Sequence, residues 1–277
     1  MTINCLGQLI DLSSPKVMGI LNITPDSFYD GNRYNSDTLI LAQVEKMLRD
    51  GAAFIDMGAY SSRPKAAEIS EAEEQSRLLP IVKLILDHFP DALLSIDTFR
   101  SNVAQKSLDM GASMINDISA GALDEKMMEV VSVYKVPYVM MHMRGTPQTM
   151  SSMTHYDDIV KEMLFYFSEK VAKARSLGIN DVIIDPGLGF AKTLDQNFEV
   201  LQKMELFQNL ELPILAGISR KSMVYKVLNS SAEEALNGTT ALHMIALMKG
   251  ASILRVHDVK EALECIRLFE KFSNQNH

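Results

Sequence analysis

Short apolar runs recur along this 277-residue chain, and each ends at a polar residue. Four of them follow a glycine, in the segments 51–56, 111–116, 178–185 and 250–255. A glycine just past a helix is the usual left-handed cap, because it lacks a Cβ atom. The apolar run behind it is too short for a helix and suits a strand that is buried on both faces. Each segment therefore predicts the end of one helix and the beginning of a buried strand.

Further apolar runs fit between these segments and predict four more strands, at 17–21, 93–96, 138–141 and 214–216. Helical patterns lie between the strands, near 37–50, 71–88, 101–110, 124–135, 157–177, 195–207, 232–249 and 259–272. Ser101 and Asp124 suit the N-cap positions of two of these helices. Strict alternation of strand and helix predicts a parallel sheet with helices outside it. Eight units favour a closed (β/α)8 TIM barrel over an open sheet, and the first 15 residues predict an additional N-terminal hairpin that covers one barrel end.

Length and composition narrow the class of protein. The chain is close to the roughly 250 residues of a (β/α)8 barrel; two smaller domains are the alternative. Because no linker or low-complexity segment interrupts it, we interpret residues 1–277 as one domain. A net charge of -8 disfavours a nucleic-acid partner. Two cysteines, no signal-peptide pattern and no apolar run of about 18 residues predict a cytoplasmic protein that does not contact membranes.

The polar residues that end the strands are the candidates for chemistry, because barrel enzymes carry their active sites at the carboxyl ends of the strands. Asp97, Asn116 and Asp185 follow the third, fourth and sixth strands, and Lys221 and Arg255 follow the last two. Each one alone has an ordinary explanation, since strands end where water begins. These groups converge on one barrel mouth, where burying a neutral polar group unpaired would cost roughly 2–7 kcal/mol and burying a charged one would cost more. We therefore expect them to pair with each other or with a ligand.

Two cations with polar neighbours predict a site for an anion. Lys221 precedes Ser222, and Arg255 is followed two residues later by His257. Barrels commonly bind phosphate behind their last two strands, and the planar arginine fork matches phosphate oxygens. The alternative is that these are surface charges paired with neighbouring acidic residues.

Three inward polar residues predict recognition of a polar heterocycle. The carboxylates of Asp97 and Asp185 can accept paired N–H bonds, and the amide of Asn116 can both donate and accept. Met141 and Phe190 could enclose a flat ring, with plain core packing as the alternative.

A separate candidate is Asn22, which follows the first strand. It would offer a hard oxygen ligand to Mg²⁺, or else cap a turn.

Taken together, the strand ends resemble the dihydropteroate synthase family, the folate-pathway enzymes that sulfonamides inhibit. The resemblance covers nearly the whole chain, in order from the first strand to the last. The matching segments are MGILNITPDSF (18–28), SSRP (61–64), SIDTFR (95–100), INDISAG (115–121), MHMRGTP (141–147), DPGLGFAKT (185–193), GISRKS (217–222) and RVHDV (255–259).

The resemblance implies a transferase that binds a hydroxymethyl-dihydropterin pyrophosphate. Attack of 4-aminobenzoate on the exocyclic methylene would release pyrophosphate and give 7,8-dihydropteroate. Asn22 would bind Mg²⁺, and Asp30 would help to stabilise the developing carbocation. By matching position the resemblance assigns the pterin to Asp97, Asn116, Asp185 and Lys221, the pyrophosphate side to Ser62, Arg63, Arg255 and His257, and the aminobenzoate to Arg63, Pro64 and Ser222. It also implies a homodimer and sulfonamide inhibition.

The second loop departs from the family pattern Gly-Gly-Glu-Ser-Thr-Arg-Pro-Gly. Tyr60 stands where the family has glutamate, and Lys65 stands where it has glycine, whereas Ser62 keeps the hydroxyl of the usual threonine.

Two other functions remain as alternatives. One is a corrinoid-type methyltransferase barrel, against which the TPDSF and SSRP segments argue. The other is a non-catalytic pterin-binding paralogue, against which Asn22 and Arg63 argue.

Overall fold

The computed structural model of the protein describes residues 1–23, 33–60 and 68–273. Its first element is an antiparallel hairpin of β1 (Thr2–Cys5) and β2 (Gln8–Asp11). Eight parallel strands follow and close into a barrel in which the last strand pairs with the first, which confirms the predicted (β/α)8 barrel. The barrel strands are β3 (Lys16–Asn22), β4 (Phe54–Gly58), β5 (Leu94–Asp97), β6 (Met114–Asp117), β7 (Tyr138–Met141), β8 (Val182–Asp185), β9 (Ile214–Ala216) and β10 (Ala251–Val256).

Helices alternate with the barrel strands as the apolar pattern predicts. In chain order the α-helices are α1 (Arg33–Arg49), α2 (Glu71–His88), α3 (Ser101–Asp109), α4 (Met127–Tyr134), α5 (Ile159–Ser176), α6 (Leu194–Gln202), α7 (Ser222–Tyr225), α8 (Leu236–Met248) and α9 (Val259–Ser273). Short 3₁₀ helices cover Met150–Ser152 and Met204–Leu210. The second takes up the end of the helix predicted over 195–207. In the part of the chain that the structure describes, no helix has the length and apolar character needed to span a bilayer.

The helix ends bear out one local prediction and correct another. All four glycines that precede predicted strands have positive φ, between 83° and 107°, as a left-handed cap requires. The N-cap prediction for Ser101 is wrong, because Ser101 is the first residue of α3 and its cap residue Arg100 makes no side-chain cap bond. Asp124 is not the N-cap of the helix that follows it either, because α4 begins at Met127. Its carboxylate accepts instead from the backbone N–H of Ser101, at 2.7 Å, and so caps the preceding helix.

Residues two apart along a strand face the same side of a barrel wall, and this period explains where the polar groups lie. One interior layer is apolar and lies near the amino ends of the strands, where Ile3, Cys5 and Leu12 of the hairpin segment pack on it; its barrel members are Met18, Phe54, Met114, Val139, Ile183, Leu215 and Ile253. Two residues further along come Ile20, Asp56, Asn116, Met141, Asp185, Gly217 and Arg255, of which four are polar. The hairpin therefore covers the amino end of the barrel, as predicted, and the carboxyl end is polar.

Candidate active site

The guanidinium of Arg255 joins three strands at the centre of the barrel mouth. Its Nε donates to Oδ2 of Asp56 at 2.6 Å, and its Nη2 donates to Oδ2 of Asp97 at 2.7 Å. Asp56 is completely buried and also accepts from the amide of Asn116 at 3.2 Å and from the hydroxyl of Ser95 at 2.6 Å. The structure thus brings together three predicted residues, Asp97, Asn116 and Arg255, through a fourth that we did not predict.

Asp56 is the functional residue that the sequence reasoning missed. It ends the first glycine-led segment, 51–56, so its pattern matches those that identified Asn116 and Arg255. Two carboxylates share one guanidinium here, so a single positive charge faces two negative ones. Burial raises the pKa of Asp97 to about 7 against the charge of Arg255, and the neighbouring carboxylate of Asp56 adds to the rise. The same two carboxylates outweigh the effect of burial on Arg255 and raise the pKa of its guanidinium.

Asp185 and Lys221 form the other half of the mouth, behind β8 and β9. The ammonium of Lys221 donates to the carbonyl of Leu188 at 2.5 Å and lies 4.6 Å from the centroid of the Phe190 ring. A Cβ atom at Gly217 would lie 3.4 Å from Nζ of Lys221 and 4.0 Å from Oδ2 of Asp185. The glycine therefore leaves open a space that borders both an acceptor and a cation.

Burial disfavours the charged forms of both Asp185 and Lys221. It raises the pKa of Asp185, with the charge of Lys221 acting in the opposite direction. It lowers the pKa of Lys221 to about 8, again partly offset by Asp185. The carboxylate of Asp185 accepts one backbone bond, from the N–H of Gly187 at 2.7 Å. A carboxylate can accept about four hydrogen bonds, so Asp185 keeps acceptor capacity for a ligand.

A buried lysine holds the loop that carries Phe190. The ammonium of Lys192 contacts the carbonyls of Gly187 and Phe190 at 3.0 and 3.1 Å and Nδ1 of His142 at 3.1 Å. These three acceptors match the three donors of an ammonium group. Burial lowers the pKa of Lys192 to about 7 and holds that of His142 well below its ordinary value. The loop thus closes around the amino group of Lys192, and this fixes the backbone on either side of Phe190.

An apolar cluster borders the polar mouth. Met141 and Phe190, predicted to enclose a flat ring, both belong to it. The other members are Ile118, Met143, Met150 and Ala191, with Phe99 and Leu123 packed against them. The mouth therefore combines hydrogen-bonding groups with an apolar wall, the composition expected for a site that binds a small polar ring.

The predicted anion residues lie at the carboxyl ends of the last two strands or just behind them. His257 contacts Ser219 twice, through Nδ1 to the hydroxyl and through its backbone N–H to the same oxygen, both at 3.1 Å. Ser222 begins α7, directly after Lys221. The sequence analysis placed Arg255 in an anion site apart from the carboxylates of the ring site. In the structure Arg255 is bonded to Asp56 and Asp97, so the two predicted sites are joined. Asn22 has an exposed side chain at the end of β3, where its backbone pairs with Gly58.

Some predicted residues lie outside the described residues, namely Asp30, Ser62, Arg63, Pro64 and Lys65. Tyr60, the unusual residue before them, is described. Its ring meets that of Phe99 edge-on at 5.1 Å between centroids, and the guanidinium of Arg100 lies 5.4 Å from its centroid. Its hydroxyl accepts from Nε2 of Gln148 at 3.0 Å. The tyrosine therefore contacts the segments behind both β5 and β7.

Comparison with known proteins agrees with this geometry. The sequence model of the family described as "Pterin binding enzyme" matches residues 18–257. The dihydropteroate synthase of Escherichia coli (strain K12) is 42% identical over 270 residues, which cover 95% of this chain and 94% of the relative. A Yersinia pestis dihydropteroate synthase, solved with a sulfonamide drug, is 39% identical with a TM-score of 0.92, over 99% of this chain and 100% of that one. The Xanthomonas albilineans enzyme, solved with 4-aminobenzoic acid, is 33% identical with a TM-score of 0.91 over 98% of each chain.

A parallel barrel with this mouth and this family match defines a pterin-binding enzyme, and the chain belongs to that family. Within it the chain belongs with the dihydropteroate synthases, which are transferases of folate synthesis.

Proposed function

We propose that this chain, as one pterin-binding barrel domain, condenses (7,8-dihydropterin-6-yl)methyl diphosphate with 4-aminobenzoate. The products are 7,8-dihydropteroate and pyrophosphate. The observation that carries the proposal is the mouth itself, where buried carboxylates, an amide and two cations face one space beside the Phe190 ring. Such groups match a ring that has N–H donors on one edge and a carbonyl on another.

The pterin would lie between the two halves of the mouth. Asp185 would accept N–H bonds from the amino-imine edge, and Lys221 would donate to a ring acceptor from the opposite side of the space at Gly217. Asn116 and Asp97 would hold the remaining edge, with Asp56 keeping the Asn116 amide in place through its 3.2 Å bond. Met141 and Phe190 would contact the ring faces.

The positively charged side of the mouth is the side that would bind the diphosphate. Arg255, near the end of β10, and His257, just behind that strand, would contact the leaving group, with Arg63 and Ser62 of the second loop. The donor set fits Mg²⁺, because the exposed amide oxygen of Asn22 is a hard ligand and this ion takes few protein ligands besides water and phosphate oxygens. When bound, Mg²⁺ would neutralise charge on the pyrophosphate. Among the described residues no group of three or more acidic, histidine or cysteine side chains could hold a metal.

The reaction needs no protein nucleophile. The amine of 4-aminobenzoate, held by Ser222, Arg63 and Pro64, would form a bond to the exocyclic methylene as the bond to the diphosphate oxygen breaks, and the amine nitrogen would release one proton to solvent. Positive charge develops on the pterin side and negative charge on the leaving group. Asp30 would stabilise the former and the cations the latter.

We also propose a homodimer through outer helices, a cytoplasmic location and inhibition by sulfonamides, the drug class solved with the Yersinia pestis relative.

Turnover tests the proposed function. Purified protein with pterin diphosphate, 4-aminobenzoate and Mg²⁺ should release pyrophosphate and form dihydropteroate in equal amounts. Omitting 4-aminobenzoate is the control and should abolish the release. Tight pterin binding without any release would contradict the proposal and would indicate a non-catalytic pterin-binding protein. Transfer of a methyl group to a corrinoid would indicate the methyltransferase class instead.

The affinity for the pterin should depend on pH with a maximum between about 7 and 8. The carboxylate of Asp97 has a pKa of about 7 and accepts N–H bonds at both oxygens only when it is ionised, so affinity falls as pH drops below this value. The ammonium of Lys221 has a pKa of about 8 and donates fully only when it is protonated, so affinity also falls above that value. On the acidic limb and on the alkaline limb of this profile, the affinity should change by up to about tenfold per pH unit, the slope for one proton.

Calorimetric titration of the pterin from pH 5.5 to 9.5 measures this profile, with the ligand's own titration subtracted. The variant Asp97→Asn should lose the acidic limb and keep the alkaline one. Lys221→Arg should do the reverse, since arginine stays protonated throughout. An acidic limb that persists in Asp97→Asn would assign it to another group.

A further inference from the structure

Arg220 lies between two residues of the site, but its side chain extends away from the mouth. Its Nε and Nη2 donate to the two carboxylate oxygens of Asp258, both at 2.8 Å. Its Nη1 donates to the carbonyls of Ala232 and Glu233 at 3.0 and 2.6 Å. Four donor contacts therefore fasten this one guanidinium to the segment before α8 and to the residue before α9.

The backbone of Arg220 has an unusual conformation. Its φ is 55°, in the left-handed region that glycine adopts freely and other residues adopt at an energetic cost. Its N–H donates to the hydroxyl of Thr239 at 3.1 Å, so α8 contacts the turn through the main chain as well. A residue with a Cβ atom keeps this conformation only where its surroundings hold it. The surroundings here include the contacts of the side chain with Asp258 and the two carbonyls, and the bond from the N–H of Lys221 to the carbonyl of Ile218 at 3.1 Å.

The turn sets the direction of both neighbouring side chains. Ser219, on one side, contacts Nδ1 of His257 at 3.1 Å. Lys221, on the other, reaches the carbonyl of Leu188 and the Phe190 ring. Since Asp258 directly follows His257, the ion pair and the Ser219–His257 contact join the segments behind β9 and β10 at two adjacent points.

We propose that Arg220 is a positioning residue for the reaction. Its paired bonds to Asp258 and its bonds to the 232–233 carbonyls maintain the left-handed turn that directs Lys221 into the barrel mouth and Ser219 toward His257. The guanidinium fork is essential to this role, because an ammonium at the same place cannot reach both carboxylate oxygens and two carbonyls together. The part of the inference that concerns turnover rests on the proposed function.

Two variants test the inference in the full-length protein. Arg220→Lys keeps the charge and removes the fork, and Asp258→Asn keeps the shape of the partner and removes its charge. Each should lower kcat/KM for the pterin diphosphate at least tenfold, with the double variant much less impaired than the product of the two single effects. Circular dichroism and gel filtration establish that each variant is folded.

A second readout follows Lys221 directly and needs no turnover. The pH dependence of its acetylation by trace acetic anhydride, measured by mass spectrometry, should have a midpoint near 8 in the unaltered protein. In Arg220→Lys and in Asp258→Asn the midpoint should move toward the ordinary lysine value, because Lys221 would no longer be held in its buried place. An acetylation profile that does not change in either folded variant would overturn the inference, whatever happens to turnover.

The matched control is Glu205→Gln, which breaks an ion pair of equal length, 2.8 Å to Lys249, away from the mouth. It should leave both readouts within twofold of the unaltered protein; a loss equal to that of Asp258→Asn would overturn the assignment of a specific role. If the unaltered protein has no turnover, the proposed function fails and the acetylation profile alone decides about Arg220.

Discussion

Replacing Arg255 by alanine is expected to cost the protein both stability and activity. The guanidinium contacts the fully buried carboxylate of Asp56 and the partly buried carboxylate of Asp97, and without it neither carboxylate keeps this partner. Removing one partner of a buried ion pair costs roughly 3–5 kcal/mol, because the remaining charge stays desolvated. Turnover should fall by roughly 10²–10³, the loss typical when a group that stabilises transition-state charge is removed.

Urea unfolding at two pH values measures the effect on stability. The charge of Arg255 lowers the pKa of Asp97, which is about 7 in the intact site, so Asp97 of Arg255→Ala takes up a proton at higher pH and carries less uncompensated charge at pH 6 than at pH 8. The free energy of unfolding lost at pH 8 should therefore shrink at pH 6. The double variant Arg255→Ala, Asp97→Asn should recover part of it at pH 8. A loss below about 1 kcal/mol at pH 8 would contradict the shared ion pair.

The contacts of Arg255 also revise what the sequence suggested about it. An arginine that served only the anion would leave the binding of free pterin unaffected when replaced. Because Arg255 bonds to Asp97 and to Asp56, and Asp56 is the hydrogen-bond partner of Asn116, we expect pterin binding to weaken too. Calorimetry with a pterin that lacks the diphosphate tests this.

The variant Asp185→Asn is expected to bind pterin roughly 10- to 150-fold more weakly, with little change in stability. A hydrogen bond to a charged acceptor contributes about 1.5–3 kcal/mol, and the amide also presents N–H groups where the pterin has its own. The fold should persist, because asparagine still offers one oxygen to the N–H of Gly187 and burial already disfavours the charge.

The matched control is Asp117→Asn, at another buried aspartate that ends a barrel strand. Its carboxylate is used inside the protein, by the hydroxyls of Tyr138 and Ser119 and the N–H of Gly121, all at 2.7 Å. This variant should lose stability and keep its affinity for pterin. Isothermal titration of both folded variants measures the difference, and an unchanged affinity in Asp185→Asn would refute its role.

The sequence determined the elements and most of the candidate mouth. Glycine caps and short apolar runs are local features, so they located the eight strands and the polar residue that ends each one. Barrel enzymes carry their active sites at the carboxyl ends of the strands, and this is why Asp97, Asn116 and Asp185 could be selected without coordinates. Asp56 carried the same pattern and was missed because no local feature ranks one strand end above another.

Only the tertiary structure decided which of these residues meet. Arg255 and Asp56 are 199 positions apart, and they meet because β10 closes the barrel against β3, next to β4. The direction of Arg220 was equally beyond the sequence, since two adjacent cations, Arg220 and Lys221, read alike. A left-handed turn sends one toward Asp258 and the other into the mouth. Local propensity specifies where each strand ends; the closure of the sheet and the backbone conformation at its rim specify which charges share a site.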